Sequence, residues 1–468
     1  MSPNWLIIPI ETKIRELYGK SLLAALAAEA GMNVVLGDQR VIAQSLHHLP
    51  RGVYIDKSIS RTKTAHFRRL RRMGFSVVAW CEEGLAYRDK AAYQFERVCP
   101  ESMKEVDAFF AWGASQSRDV IEVIPDAADK LHVHGNPRFD FLRSPLRHVF
   151  DDDVRERVSA HGRYILVNTN FSRFNRFRGR EGVVDVLRTR GILTRDEQES
   201  YYVRSVEHLG EVFHAFARAI PQLARAFPDH TIIVRPHPSE DHDRWRSELE
   251  GLSNVRVHAE GNAIPWMMGA QAVIHNACTT GVESFLLDTP TIAYVPVVHE
   301  VFNRLSYLPN AISHIAQNED DLMDAVRSAL SQERLLDPAT QEKKDQVSHY
   351  VANASGELAA EKIVRIIASL GSRASSRANA WRETSARMLS LARFEAARAR
   401  RALRPNGVLK AYMDQKFPEL TLGELEHVLR KIAVAAGRDF RLDVTAHPRL
   451  ASSFLIRSNR NAARRNSA

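Results

Sequence analysis

Short continuous apolar runs alternate along this chain with longer stretches of helical spacing. Residues 5–10 (WLIIPI) form the first run, as expected for a strand buried on both faces. Ile14, Leu17, Leu22, Leu23, Leu26 and Ala27 then recur at helical intervals, and Gly31 stands where a helix C-cap belongs. Further strands are predicted at 32–37 (MNVVLG), 52–55 (GVYI), 75–80 (FSVVAW), 107–113 (DAFFAWG) and 130–135 (KLHVHG), with helical stretches between them. This is the βαβ rhythm of a parallel, doubly wound sheet.

Residues 144–162 lack strand character and read as a connection, after which the rhythm restarts. Strands are predicted at 163–170 (RYILVNTN), 230–238 (HTIIVRPHP), 254–259 (NVRVHA), 271–276 (QAVIHN) and 290–295 (PTIAYV). A long amphipathic helix is expected at 201–227 and a shorter one at 279–287 (TTGVESFLL). The predicted fold class is therefore α/β on the GT-B plan, two Rossmann-like doubly wound domains facing a cleft. The expected boundaries are 1–148 for an acceptor domain and 160–345 for a donor domain. Helices at 320–333 and 339–370 are expected to close the second half, with 346–370 as its closing helix. From 371 to 468 the pattern predicts helix without strand. Trp381, Met388, Leu391 and Phe394 give the first tail helix a loose apolar stripe. Thr421 and Glu424 have capping-box spacing ahead of a second. The final RSNRNAARRNSA is expected to be disordered.

Charge and composition narrow this picture. The 468 residues are 44% hydrophobic, enough for two cores, yet no run approaches the ~20 apolar residues of a membrane-spanning helix. The first apolar run meets Glu11, Lys13 and Arg15 at once, unlike a signal peptide. Three cysteines without CxxC spacing suggest neither disulfides nor a zinc site. The expected location is the cytosol. The net charge of +9 sits in the tail: residues 371–468 hold 20 Lys plus Arg against 8 Asp plus Glu, while the body is nearly neutral. That distribution argues against a whole-protein nucleic-acid binder. It points to a tail that meets something anionic, such as a membrane surface (the inner face of the inner membrane), a lipid-linked acceptor or RNA, or that packs back on the body.

The candidate chemistry lies in RPHPSED (235–241) and HNACTTGVES (275–284). Each follows a predicted strand of the second half, so both belong to the carboxyl edge of one sheet. His237 stands between Pro236 and Pro238, which stiffen the loop, and with Ser239 it suits hydrogen bonding to a phosphate or a ribose. Asn276, Thr279, Thr280 and Gly281 lie where strand gives way to helix. Amide groups, hydroxyls and an unobstructed glycine backbone there make an anion site. Glu283 is placed on the first turn, to accept bonds from sugar hydroxyls. Arg15, Arg138 and Arg235 are candidates to hold anionic groups.

These motifs resemble the C-terminal domain of GT-B glycosyltransferases of surface-polysaccharide synthesis. The group includes capsule Kdo transferases, bacterial sialyltransferases and CDP-glycerol glycerophosphotransferases. The resemblance implies that His237-Pro238 and Thr279-Thr280 bind the nucleotide and its phosphate. PIETKIREL (9–17), WCEEGLAYR (80–88), GNPRFDFL (135–142) and TTGVESFLLDTPTIAY (279–294) further resemble surface carbohydrate biosynthesis proteins, over residues 5–370 but not the tail. It implies a nucleotide-sugar donor as substrate, with a weak preference for a CMP-activated acidic sugar such as Kdo, and a glycan or lipid-linked acceptor.

The first half then supplies the catalytic carboxylate. Glu11 follows the first strand, and Glu82 and Glu83 follow the fourth, where like-charge repulsion is expected to raise one another's proton affinity. One serves as base in an inverting reaction or as nucleophile in a retaining one. No DxD-like element stands at a strand end, so leaving-group stabilisation without metal or cofactor is expected. Two other readings stay open: a UDP-sugar 2-epimerase, and a non-catalytic, membrane-associated scaffold of polysaccharide assembly.

Overall fold

The computed structural model describes residues 4–87, 89–176, 183–189, 191–331, 339–374, 380–403 and 407–459. The chain divides into two compact units. The first holds Met1–Leu85, Gln94–Val149 and His349–Ala468; the second holds Ala86–Tyr93 and Phe150–Ser348.

Six parallel strands form the body of the first sheet: β1 (Trp5–Ile10), β2 (Asn33–Asp38), β3 (Val53–Asp56), β4 (Ser76–Trp80), β5 (Ala108–Ala111) and β6 (Leu131–Val133). They lie in the order β2-β1-β3-β4-β5-β6. The second sheet is built from β7 (Tyr164–Asn168), β8 (Thr231–Arg235), β9 (Val255–Val257), β10 (Ala272–His275), β11 (Thr291–Tyr294) and β12 (His314–Ala316). Its order is β12-β11-β10-β7-β8-β9, all parallel. The apolar runs are buried because helices cover both faces, as parallel sheets require. In the second unit the Asp196–Ala226 helix lays Phe213, Phe216, Ile220 and Leu223 on Ile165, Val167, Ile232 and Ile274.

Strand order reverses between β1 and β3 in the first sheet and between β7 and β10 in the second. At such a switch point the connecting segments run to opposite faces and leave a crevice beyond the carboxyl ends, where ligands bind in open α/β sheets.

The tail departs from expectation. It contains helices Ala380–Leu403, Gly407–Lys416 and Leu422–Ala436, but also two strands, β13 (Leu442–Ala446) and β14 (Ser453–Ser458). β14 pairs antiparallel with β2, and β13 with β14, widening the first sheet to eight strands. Phe454 and Ile456 point into the core while Leu455 and Arg457 do not. An edge hairpin with one solvated face needs only this weak alternation, which is masked by the surrounding basic residues. Gly37 permits the pairing, since a Cβ there would lie 2.2 Å from Ser453 Oγ. The expected disorder of 457–468 is also corrected in part, because Arg457 and Ser458 belong to β14; residues 460–468 lie outside the described residues.

The expected closing helix is likewise two pieces, Ala339–Ser348 and Ala359–Ala374. The second packs on the Lys13–Glu29 helix of the first unit rather than on the second unit. GNPRFDFL supplies its seat. The buried Asp140 carboxylate accepts from Ala359 N (2.9 Å), Ala360 N (3.0 Å) and Asn353 Nδ2 (2.8 Å). Burial pushes Asp140 up to about 6, against the pull of those donors. Among the described residues no helix is long and apolar enough to cross a membrane, and the three cysteines are buried and not joined by disulfides.

Candidate functional site

The first unit brings together all five of its predicted site residues at the β1/β3 switch point, and it binds each to a partner. Glu11, following β1, pairs with Lys57 beyond β3 and with Lys416 of the tail at 3.2 Å. Burial opposes its charge, but Lys57, Lys416 and Arg15 outweigh that and hold it well below the usual carboxylate range. Glu82 and Glu83 take different partners. Glu82 is buried, accepts from Trp80 Nε1 at 2.7 Å, and lies 3.5 Å from Arg138 and 4.0 Å from Lys20. Glu83 is half exposed and accepts from Arg15 at 3.2 Å.

Glu16 organises this centre. Fully buried, it accepts the backbone N–H of Glu11 (3.0 Å) and Thr12 (3.1 Å), together with Lys20 Nζ (2.6 Å) and Arg15 (3.3 Å). It thereby satisfies amides at the start of the Lys13–Glu29 helix. Burial works against its charge, yet Lys20 and Arg15 keep it ionised at neutral pH. Sequence reading missed it because a glutamate in a helix's first turn looks like ordinary dipole complementation. The tail also reaches this edge: Lys13 Nζ donates to Glu424 and to the Glu419 carbonyl, each at 2.8 Å.

In the second unit the loops after β7, β8 and β10 are cross-linked at the other switch point. Glu240 fastens the first two. Its buried carboxylate accepts from Thr169 Oγ1 (2.9 Å), Phe171 N (3.0 Å), His237 N (3.0 Å), Trp245 Nε1 (2.9 Å) and Asn175 Nδ2 (3.4 Å). Burial raises its pKa even though the bonds from Trp245, Phe171, His237 and Thr169 oppose the rise. Asn276 fastens the β10 loop to the β7 loop, accepting from Asn170 N at 2.9 Å and donating to Asn170 O at 3.2 Å. Its side chain therefore holds the loops in register.

His237 is half buried, and its Nδ1 accepts from Ser239 N at 3.1 Å. A neutral imidazole in that bond carries its proton on Nε2. Pro238 fills the tight turn between the two residues. Asn168, at the end of β7, is 2% exposed, and among the described residues its Nδ2 has no hydrogen-bond partner.

The turn from β10 into the Thr279–Leu286 helix is strained. Ala277 has φ of 58°, a left-handed conformation costing about 1 kcal/mol outside glycine. His275 holds it: Nδ1 accepts from Ala277 N (3.1 Å), and Nε2 meets Ser313 Oγ (2.8 Å), which donates to Pro309 O (2.6 Å). Burial lowers His275 to about 3, so it is a neutral strut. Thr279 and Thr280 are half buried at the helix start, with Thr280 Oγ1 2.7 Å from Cys278 Sγ.

Three predicted roles change. The backbone at Gly281 is not unobstructed: a Cβ there would stand 2.5 Å from His275 Nε2, so the glycine admits the imidazole. Glu283 is buried and lies in the second turn, because the helix begins at Thr279. Arg235 donates to the Glu260 carbonyl at 2.9 Å and to that of Gly261, with its guanidinium 6.0 Å from the Trp266 ring. Burial, with Arg157 adding to it, lowers this guanidinium to about 10. Its donors hold the loop after β9.

No protein-family model matches the chain, and no curated protein matches it. Among solved structures, the wall teichoic acid polymerase TagF, soaked with CDPG, is 9% identical with a TM-score of 0.50, over 81% of this chain and 91% of that chain. The architecture is GT-B. UDP-GlcNAc 2-epimerase from Methanocaldococcus jannaschii, in complex with UDP-GlcNAc and UDP, is 14% identical over 78% of this chain and 99% of that one, with a TM-score of 0.46. A second such enzyme, putative and from Listeria monocytogenes, is 14% identical over 81% and 98%, with a TM-score of 0.47. At these identities the likeness is one of GT-B fold and carries no residue roles.

Proposed function

We propose that this protein is a GT-B glycosyltransferase of bacterial surface-polysaccharide synthesis, with the nucleotide of an activated donor held by the second unit. One observation carries the reading. The loops after β7, β8 and β10 are locked together by Glu240 and Asn276 around the β7/β10 switch point, and His237, Thr279, Thr280 and Asn168 stand on them. An Nε2–H donor, two hydroxyls, the first amides of a helix and an amide with an unmet donor form a set that neutralises phosphate charge without a fixed counter-ion. Because the loops are fixed before any ligand arrives, little ordering is lost as charge develops on the departing phosphate.

The acceptor belongs to the first unit. A carboxylate held far below the working pH is a weak base, which makes Glu11 an ion-pair anchor and leaves Glu82 and Glu83 as candidates for the base. A CMP-activated acidic sugar such as Kdo is the first donor to try. A CDP-activated alditol follows, in view of the CDPG used with the TagF fold. The test is a panel of CMP-, CDP-, UDP- and GDP-activated donors, scored for nucleotide release with and without polysaccharide acceptors. Acceptor-dependent release from one donor, abolished by His237→Ala with Thr280→Ala, is expected. Conversion of a UDP-sugar to its 2-epimer without acceptor would instead make the protein an epimerase.

A further inference from the structure

The tail is not uniformly a basic appendage. Its last helix and its two strands are built into the first unit, through Lys13–Glu424 and the β14–β2 pairing. The Ala380–Leu403 helix is different. One side is anchored: Glu383 pairs with Arg51 and with Arg387, and Arg387 donates to Leu49 O (2.8 Å) and His47 O (3.3 Å). Phe394 meets the His47 ring at 5.3 Å, and Ser390 is buried.

The opposite side carries Trp381 (80% exposed), Met388 (70%), Leu389 (50%) and Leu391 (44%). Trp381 and Met388 are seven residues apart and Leu391 three further on, so at 100° per residue they form one stripe, flanked by Leu389. Among the described residues, every exposed large hydrophobic that is not a valine lies on this one helix. Clustering of this kind marks an interaction surface rather than scatter.

The local charge selects the partner. Residues 371–404 contain nine arginines, no lysine and only two glutamates, and Arg393 is exposed beside the stripe. Guanidinium groups pair with phosphate oxygens in a bidentate way. Tryptophan prefers the boundary between headgroups and acyl chains. An apolar stripe flanked by the exposed Arg393, on a helix tethered by its other side and rich in arginine, has the make-up of an interfacial helix lying in the membrane plane.

We infer that the outer face of the Ala380–Leu403 helix docks the protein on an anionic phospholipid bilayer, leaving the rest of the tail as part of the first unit. This stands apart from the transferase reading, because the assay needs no donor. The full chain is sedimented with vesicles of phosphatidylcholine alone or with about one-third phosphatidylglycerol. Binding to the anionic vesicles, weakened by salt, is expected. The double variant Met388→Ser, Leu391→Ser should lower the apparent affinity about tenfold, the order of losing two partly buried side chains. Val434→Ser, at an 84% exposed position on a neighbouring tail helix, should bind as the parent does. Circular dichroism and melting temperature should be unchanged in both variants, since these positions are exposed. Equal binding by parent and double variant, or no preference for anionic vesicles, overturns the proposal. So does self-association without lipid that the double variant abolishes, which would assign the face to a second copy of the chain.

Discussion

The carboxyl edges of the two sheets solve the same problem, a buried carboxylate beneath a crevice, in opposite ways. In the first unit Glu11, Glu16, Glu82 and Glu83 are matched by Arg15, Lys20, Lys57, Arg138 and Lys416, charge against charge. Glu11 and Glu16 are held ionised against the cost of burial. In the second unit the bonds Glu240 accepts from Thr169, Phe171, His237 and Trp245 come from neutral groups, and burial pushes its pKa up. A charge-matched centre tolerates exchange of ionic partners, which suits a place where an acceptor enters. A carboxylate saturated by amides and an indole does not rearrange, and it keeps neighbouring loops fixed for a phosphate. On the transferase proposal, the difference separates a reactive edge from a binding edge.

The largest effect should come from breaking the neutral centre. Glu240→Ala leaves two backbone amides and an indole buried without acceptors, and should cost about 3 to 5 kcal/mol in denaturant unfolding. Glu240→Gln, which keeps the shape and an oxygen, should cost markedly less. Next are His237→Ala and Thr280→Ala, each expected to slow transfer about 10²-fold while moving the melting temperature little, because neither is a strut. A collapse in stability would show them to be structural.

Glu11→Gln sharpens the contrast through pH. The folded pKa of Glu11 is depressed, so its stabilisation is present above the unfolded value near 4.5 and lost as pH falls toward the folded one. The variant should be about 1 kcal/mol less stable at neutral pH, and the gap should close on acidification in chemical denaturation from pH 7 to 3. The smallest effect belongs to Lys416→Met. It removes one of the two lysines bonded to Glu11 and should cost less than about 1 kcal/mol, and it should move the acid loss of stability linked to Glu11 upward in pH.

Most of the architecture was legible because buried parallel strands advertise themselves as apolar runs, as 5–10 and 271–276 do. The β13–β14 hairpin was not, since one face is solvated and Leu442–Ala446 is flanked by Arg441 and Arg449 within the basic tail. Among candidate residues, Glu11, Glu82 and Glu83 stand out because they follow strands, and Arg15 and Arg138 as cations suited to anionic groups; in the structure they share one network of ion pairs. Glu240 lay in plain view within RPHPSED, but loops have no period that marks a side chain as buried. Gly281 was read for ligand access when its cause is the His275 ring, a contact only three dimensions reveal. Asn276 and Arg235 look like ligand donors in one dimension and prove to be tied to the backbone of Asn170, Glu260 and Gly261.

The most direct measurement is thermal unfolding of the intact protein with CMP, CDP, UDP or GDP, repeated for the His237→Ala, Thr280→Ala double variant. A nucleotide at a hundred times its dissociation constant should stabilise the parent by about 2.7 kcal/mol, and the double variant should show little or none of that gain. Equal stabilisation of both proteins, or none of the parent by any nucleotide, would contradict a phosphate site built on the loops of the second sheet.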